Sequence, residues 1–145
     1  SNLSLDAKGR IVLPARYRER LSEICNNQIV ITIDTDQPCL LMYPLNEWEL
    51  IEEKIEALPS FNPMTRRIQH LLLGHATDME IDANGRFMLS STLREHAGLT
   101  KKVTLIGMGK KFEIWDESAW SQRKTTLLAD KTSGEMPQAL AELSL

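Results

Sequence analysis

The chain repeats itself. LSLDAKGRIVLPARYRERL, residues 3–21, aligns without a gap on MEIDANGRFMLSSTLREHA, residues 79–97. Leu5 pairs with Ile81, Ile11 with Phe87, Leu13 with Leu89, Arg18 with Arg94 and Glu19 with Glu95. Further on, CLLMYPLNEW (39–48) aligns on KFEIWDESAW (111–120), placing Tyr43 on Trp115 and Trp48 on Trp120. Each copy spans roughly 50 residues, near the lower limit for burying a core alone. Two copies do not make a solenoid. The expected arrangement is two halves sharing one core about a pseudo-twofold axis.

Within each copy, Leu3 and Leu5, then Ile11 and Leu13, alternate with polar neighbours. That period reads as two short strands joined by a turn. The turn holds Lys8-Gly9 in the first copy and Asn84-Gly85, a two-residue hairpin signal, in the second. DxxGR is therefore expected at a hairpin tip, with Asp and Arg flanking the turn. Pro14 suits the first position of a following helix. Ser90 or Ser91 can cap the matching helix, with Gly98 as its stop. QIVITI (28–33) and KVTLI (102–106) read as β-branched strands, with CLLMY and KFEIW as partners.

Two longer helices are predicted between the copies. Asn46 with Glu49 forms a capping box, and Leu45 with Leu50 a hydrophobic staple. That helix is expected to reach about Leu58, with Trp48, Ile51, Ile55 and Leu58 on one stripe. Asn62-Pro63 opens the next, which carries Met64, Ile68, Leu71 and Leu72 to a stop at Gly74. A further helix starts at Asp116 or Ser118. The expected organisation is a first repeat with its helix over 1–58, a connecting helix over 59–75, a second repeat over 76–128 and a weakly structured tail over 129–145. A short helix through QALAEL closes that tail.

Composition narrows the function classes. With 42% hydrophobic and 26% charged residues the chain is ordinary for a globular protein. No apolar run approaches the roughly 20 residues of a membrane helix. Cys25 and Cys39 show no metal-ligand spacing and read as reduced thiols. The net charge of −3 argues against a simple basic nucleic-acid binder, but the charge is uneven. Residues 7–20 sum to +4 and residues 46–58 to −4.

For catalysis the sequence offers little. A triad could be drawn from Ser90, Ser91, Asp82 and His96, but capping and surface roles account for these residues. His70 and His75 stand five apart, a poor helical pairing for a metal. No nucleophile elbow, P-loop or GxGxxG motif occurs. The reading is a non-enzyme without catalytic residues, cofactor or metal.

The repeated arginine is more informative. Guanidinium binds phosphate bidentately and reads guanine edges in the major groove. Lys8 adds a phosphate contact beside the first tip, where the second copy has Asn84. The first tip is therefore expected to bind more strongly. The alternative is an Asp–Arg staple that only closes the turn, and the two roles are compatible. Arg16 is a further candidate. Arg18 and Arg20 read as partners of nearby glutamates, and Arg66 and Arg67 as a solvated helix face.

LDAKGRIVLPARYRERL resembles the strand–turn–strand–helix signature of SpoVT/AbrB-type transcription factors. Two such signatures in one chain, with CLLMYPLNEWELIEEKI, RRIQHLLLGHA and FEIWDESAW between and after them, resemble the MraZ family over nearly the whole length. The resemblance implies a mainly β fold with helices (α+β): a double-split, swapped-hairpin β-barrel of two pseudo-twofold halves. It implies a cytoplasmic, nucleoid-associated transcriptional regulator of the division and cell-wall gene cluster. Such a protein would bind direct repeats of double-stranded DNA as a ring-shaped homo-oligomer. It places Asp6, Arg10, Asp82 and Arg86 against DNA; the turn residues Lys8, Gly9, Asn84 and Gly85, and Arg16, join them as candidate DNA contacts from the reading of the residues themselves. An antitoxin-like module that binds a protein partner is the alternative function for this architecture. Some of Trp48, Trp120, Leu71 and Leu72, with the helices of residues 46–74, are expected at subunit contacts.

Overall fold

The computed structural model describes residues 1–130 and 137–143. The flanks of the two DxxGR turns do not stay together. β1 (Asn2–Ser4) leaves its own copy and pairs with β7 (Lys102–Gly107), with Leu3 opposite Val103. Reciprocally, β5 (Thr77–Glu80) pairs with β3 (Gln28–Ile33), with Met79 opposite Ile29. β4 (Leu40–Pro44) and β8 (Phe112–Asp116) join the halves in the middle of a six-stranded antiparallel sheet, ordered β1-β7-β8-β4-β3-β5. The strands that follow the turns, β2 (Arg10–Val12) and β6 (Arg86–Met88), pair only with each other as strands. A single bridge, Leu5 to Ile11, is what remains of a local hairpin in the first copy.

Two ladders locate the pseudo-twofold axis. The β2–β6 ladder is centred on Ile11 opposite Phe87, and the β4–β8 ladder on Leu41 opposite Glu113. Both pairs are equivalent positions of the two copies. The fold is α+β, with eight strands and six helices among the described residues, and is a double-split, swapped-hairpin barrel.

Burial explains why the central strands are apolar throughout. Ile29, Ile31 and Ile33 of β3 and Leu40 and Met42 of β4 face a core that also takes Ile11, Leu13, Phe87 and Leu89. Val30, Leu41 and Tyr43 face the opposite side, where Trp115 of β8 lies on the same face and Trp48 packs with them. A sheet covered on both faces loses the polar half of its alternation.

The helices pack around this frame. α1 (Ala15–Cys25) and α4 (Ser91–His96) follow the ribbon strands, and α2 (Leu45–Glu56) and α5 (Glu117–Ala129) follow the central strands. α3 (Pro63–His75) connects the copies. Asn62 caps α3 through Met64 N–H at 2.8 Å, and Ser90 Oγ caps α4 through Leu93 N–H at 3.3 Å. α3 continues through Gly74 rather than stopping there. Pro14 is the cap of α1, one position outside the predicted place. The Asn46–Glu49 box does not form, because α2 begins at Leu45 directly from Pro44, without a side-chain cap. Leu50 and Leu58 are exposed, so the predicted staple and the end of the apolar stripe fail too. Asp116 precedes α5 but does not cap it, its carboxylate accepting instead from Thr100 N–H and Oγ–H.

In the tail, α6 covers Gln138–Ala141. Residues 131–136 and 144–145, with the tail expectation that falls on them, lie outside the described residues. Cys25 and Cys39 are free thiols. Among the described residues no helix is long and apolar enough to cross a membrane.

Candidate functional site

The two DxxGR turns are built alike, bond for bond. Gly9 N–H donates to Asp6 C=O and Asp6 N–H to Arg10 C=O, each at 3.0 Å. Their counterparts, Gly85 to Asp82 and Asp82 to Arg86, measure 2.9 and 3.0 Å. This is a three-residue loop closed by the Asp–Arg pair, with glycine at φ +84° and +77°. Neither Lys8 nor Asn84 has positive φ, so the two-residue turn suggested by Asn84-Gly85 is not the one used. The aspartate decides the difference. Asp6 Oδ1 accepts from Lys8 N–H at 2.9 Å and Arg10 N–H at 2.8 Å, and Asp82 Oδ1 from Asn84 and Arg86 at 2.9 and 2.8 Å.

The second carboxylate oxygen aims the arginine. Asp6 Oδ2 accepts from Arg10 Nε at 2.7 Å, and Asp82 Oδ2 from Arg86 Nε at 3.0 Å. Both guanidinium groups are thus held by one edge. Among the described residues their Nη atoms have no hydrogen-bond partner. Both carboxyls are held below the usual 3.8, chiefly by the backbone N–H of Arg10 and of Arg86 respectively. The pairs are exposed, so their attraction alone stabilises the fold little.

Register brings the arginines together. Arg10 stands opposite Met88, and Arg86 opposite Val12. Ile11 and Phe87 point into the core, so Arg10, Val12, Arg86 and Met88 share the outer face of the ribbon. The repeat suggests adjacent hairpin tips on one edge; the turns lie instead at the two ends of this ribbon, yet both arginines face one way. From ladder geometry their Cα atoms are roughly 8 Å apart. Val12 and Met88 are 51% and 58% exposed.

A second repeated arginine secures each turn from the other copy. Arg94 Nε donates to Leu89 C=O at 3.2 Å and lies over Gly9, while Arg18 Nη1 donates to Asn84 C=O at 3.3 Å over Gly85. A Cβ on Gly9 would meet Leu89 C=O at 2.7 Å, and one on Gly85 would meet Arg18 Nε at 2.7 Å. Both ladder ends are closed reciprocally, Leu13 N–H to Gly85 C=O and Leu89 N–H to Gly9 C=O, each at 2.8 Å. Sequence reasoning missed these two supports, although the alignment of Arg18 with Arg94 was the signal. Neither Arg18 nor Arg20 makes the expected glutamate pair, Arg20 reaching Gly109 C=O at 3.5 Å.

Other candidates fall elsewhere. Arg16 lies over the Tyr17 ring at 4.6 Å and donates to Tyr17 Oη at 2.9 Å and Ser1 Oγ at 2.5 Å. Lys8 is exposed on its turn. Ser90 is a cap, Asp82 is bound to Arg86, and His96 sits 6.2 Å from His75 between ring centroids. Asp34, Cys39 and Glu113 bring ligand-type atoms within 4.8 Å of one another. The Cys39 thiol donates to Asp34 at 3.8 Å, and Glu113 accepts from Trp115 Nε1 at 2.9 Å. Burial, then the two carboxylates, push that thiol far up. Trp48 is buried among Tyr43 and Trp115 in the chain's own core rather than at a surface. Leu50, Leu58, Phe61 and Met64, on α2, α3 and the link between them, are exposed instead.

The charges separate across the sheet. α2, with its five glutamates, packs on the face covered by Trp48. The ribbon covers the opposite face. Known proteins share this sequence along its whole length. The chain is 54% identical to Transcriptional regulator MraZ of Proteus mirabilis (strain HI4320), covering 99% of this chain and 95% of that protein. It is 52% identical to the protein of that name from Serratia proteamaculans (strain 568), with the same coverage. For that of Hydrogenovibrio crunogenus the identity is 47%, over 100% and 95%. The family described as "MraZ protein, putative antitoxin-like" matches twice, over residues 1–71 and 72–138. The chain belongs to the MraZ family, whose members named above are transcriptional regulators.

Proposed function

We propose that this transcriptional regulator binds duplex DNA through the outer face of the β2–β6 ribbon, with Arg10 and Arg86 as the reading residues. One observation carries the reading: two guanidinium groups on one face, each held by Asp at Nε and open at Nη. That is the presentation a bidentate contact to guanine or phosphate requires. Lys8 and Asn84 on the turns, and Arg16 beyond them, supply backbone contacts. The DNA is taken to be direct repeats in the promoter of the division and cell-wall gene cluster.

The assembly is proposed to be a ring of several copies joined through α2, α3 and the link between them, where Leu50, Leu58, Phe61 and Met64 are exposed. A head-to-tail ring meets direct repeats with one polarity, and multivalency raises affinity by roughly 10²–10⁴-fold. Acidic α2 then faces away from the DNA.

The test is a salt titration of binding to a fragment of that promoter. Wild-type affinity should fall with a log–log slope of about −0.9 per neutralised phosphate. Arg10→Ala should cost about 1–3 kcal/mol per subunit if it reads a base. Arg86→Ala should cost less, for want of a neighbouring lysine. Unchanged affinity in a folded Arg10→Ala oligomer returns the motif to a turn staple. Co-purification of a protein partner in place of DNA binding supports the antitoxin-like alternative.

A further inference from the structure

The outer face of the ribbon holds four side chains, and two of them are apolar. Arg10 faces Met88 across the ladder, and Val12 faces Arg86, so the arginines take one diagonal and the apolar residues the other. Val12 and Met88 are more than half exposed between charged neighbours. Packing does not use them, because Ile11 and Phe87 supply the buried side of the same strands. A two-stranded ribbon fits the major groove of B-DNA, about 12 Å wide. The base edges there carry guanine O6 and N7, and one apolar group, the thymine methyl.

We propose that Val12 and Met88 are specificity residues that select thymine beside the guanines read by Arg86 and Arg10. The inference rests on the DNA-binding reading above and deepens it. Each cross-strand pair joins one bidentate donor to one apolar contact, roughly 5 Å apart at Cα. That separation is within reach of neighbouring base pairs. The ribbon therefore discriminates by two chemistries, guanine by hydrogen bonds and thymine by its methyl.

The experiment selects binding sequences for the full chain from a random duplex pool. Thymines in the selected duplex are then replaced singly by deoxyuridine, which removes only the methyl. Loss of one contacted methyl should weaken binding about fourfold. Val12→Ser and Met88→Gln remove the apolar contact at exposed positions. Each variant should select sequences with a relaxed thymine position and lose its response to deoxyuridine there. Circular dichroism checks the fold. A wild-type duplex with no uridine-sensitive position, or variants that keep full sensitivity, overturns the proposal and leaves the arginine reading standing. A wild-type chain that selects no sequence overturns sequence-specific binding itself, and this proposal with it.

Discussion

Gly9 and Gly85 occupy equivalent positions, yet alanine should not cost the same at each. Both have positive φ, which costs an L-residue about 1–2 kcal/mol. Beyond that their surroundings differ. At Gly9 the new Cβ lies 2.7 Å from Leu89 C=O, a backbone atom. Relief requires moving the rung in which Leu89 N–H donates to Gly9 C=O at 2.8 Å, at a further cost of about 0.5–1.5 kcal/mol or more. Gly9→Ala should therefore lose about 2–4 kcal/mol, a Tm drop of roughly 6–14 °C for a chain of this size.

At Gly85 the obstruction is the side chain of Arg18, whose Nε is buried without an acceptor. That side chain can swing out, giving up one hydrogen bond of 3.3 Å. Gly85→Ala should cost nearer 2 kcal/mol. The double variants separate the causes. Arg18→Ala should recover more of the loss in Gly85→Ala than Arg94→Ala recovers in Gly9→Ala, where the Arg94 Nε contact at 2.9 Å is relieved but the Leu89 C=O contact remains. Urea and thermal melts at matched protein concentration measure both cycles. Equal costs at the two glycines, or as much rescue of Gly9→Ala by Arg94→Ala as of Gly85→Ala by Arg18→Ala, would refute the reasoning.

Asp6→Ala should leave the arginine charge but free its direction, lowering discrimination between DNA sequences more than non-specific affinity. Competition band shifts read that ratio. Asp6 and Asp82 have depressed values, so their contribution is fully present above the ordinary 3.8 and is lost as pH falls through the lower folded values. Melting curves should therefore show an acid limb below about pH 4 that Asp6→Asn and Asp82→Asn flatten, with no change from these groups near neutrality. Phe61→Ser, just before α3, with Met64→Ser in its first turn should shift sedimentation toward smaller species while leaving the monomer's core intact.

What the sequence shows depends on whether the deciding interaction is local. The repeat implied a pseudo-twofold axis, and two ladders centred on equivalent residues supply it. The DxxGR tip was legible because glycine and a flanking Asp–Arg pair act within five residues. Its turn type was not, since three acceptor roles of one carboxylate outweighed the Asn84-Gly85 preference. Alternation at Leu3 and Leu5 marks an extended segment but cannot name its partner, so the exchange of β1 and β5 rested on resemblance alone. Arg18 and Arg94 escaped notice because their contacts lie more than sixty residues away or around a fold-back onto the opposite ladder. Asn46 and Glu49 satisfy a capping pattern, but Pro44 ends a strand and turns straight into α2, leaving the box no free N-terminus to close.

Strand exchange also bears on how the chain is made. As synthesis proceeds from the N-terminus, β3 and β4 can form their hairpin early, but β3 lacks its outer neighbour until residue 80 is available, and β1 has none until β7. For more than half of translation the nascent first copy therefore carries an open edge and an unmatched strand. Such contacts of long sequence separation slow folding and expose edges that other chains can capture. A polysome bearing many first copies places those edges side by side. The second copy is thus the intramolecular competitor that closes each chain on itself, and truncation before residue 77 should favour pairing between chains.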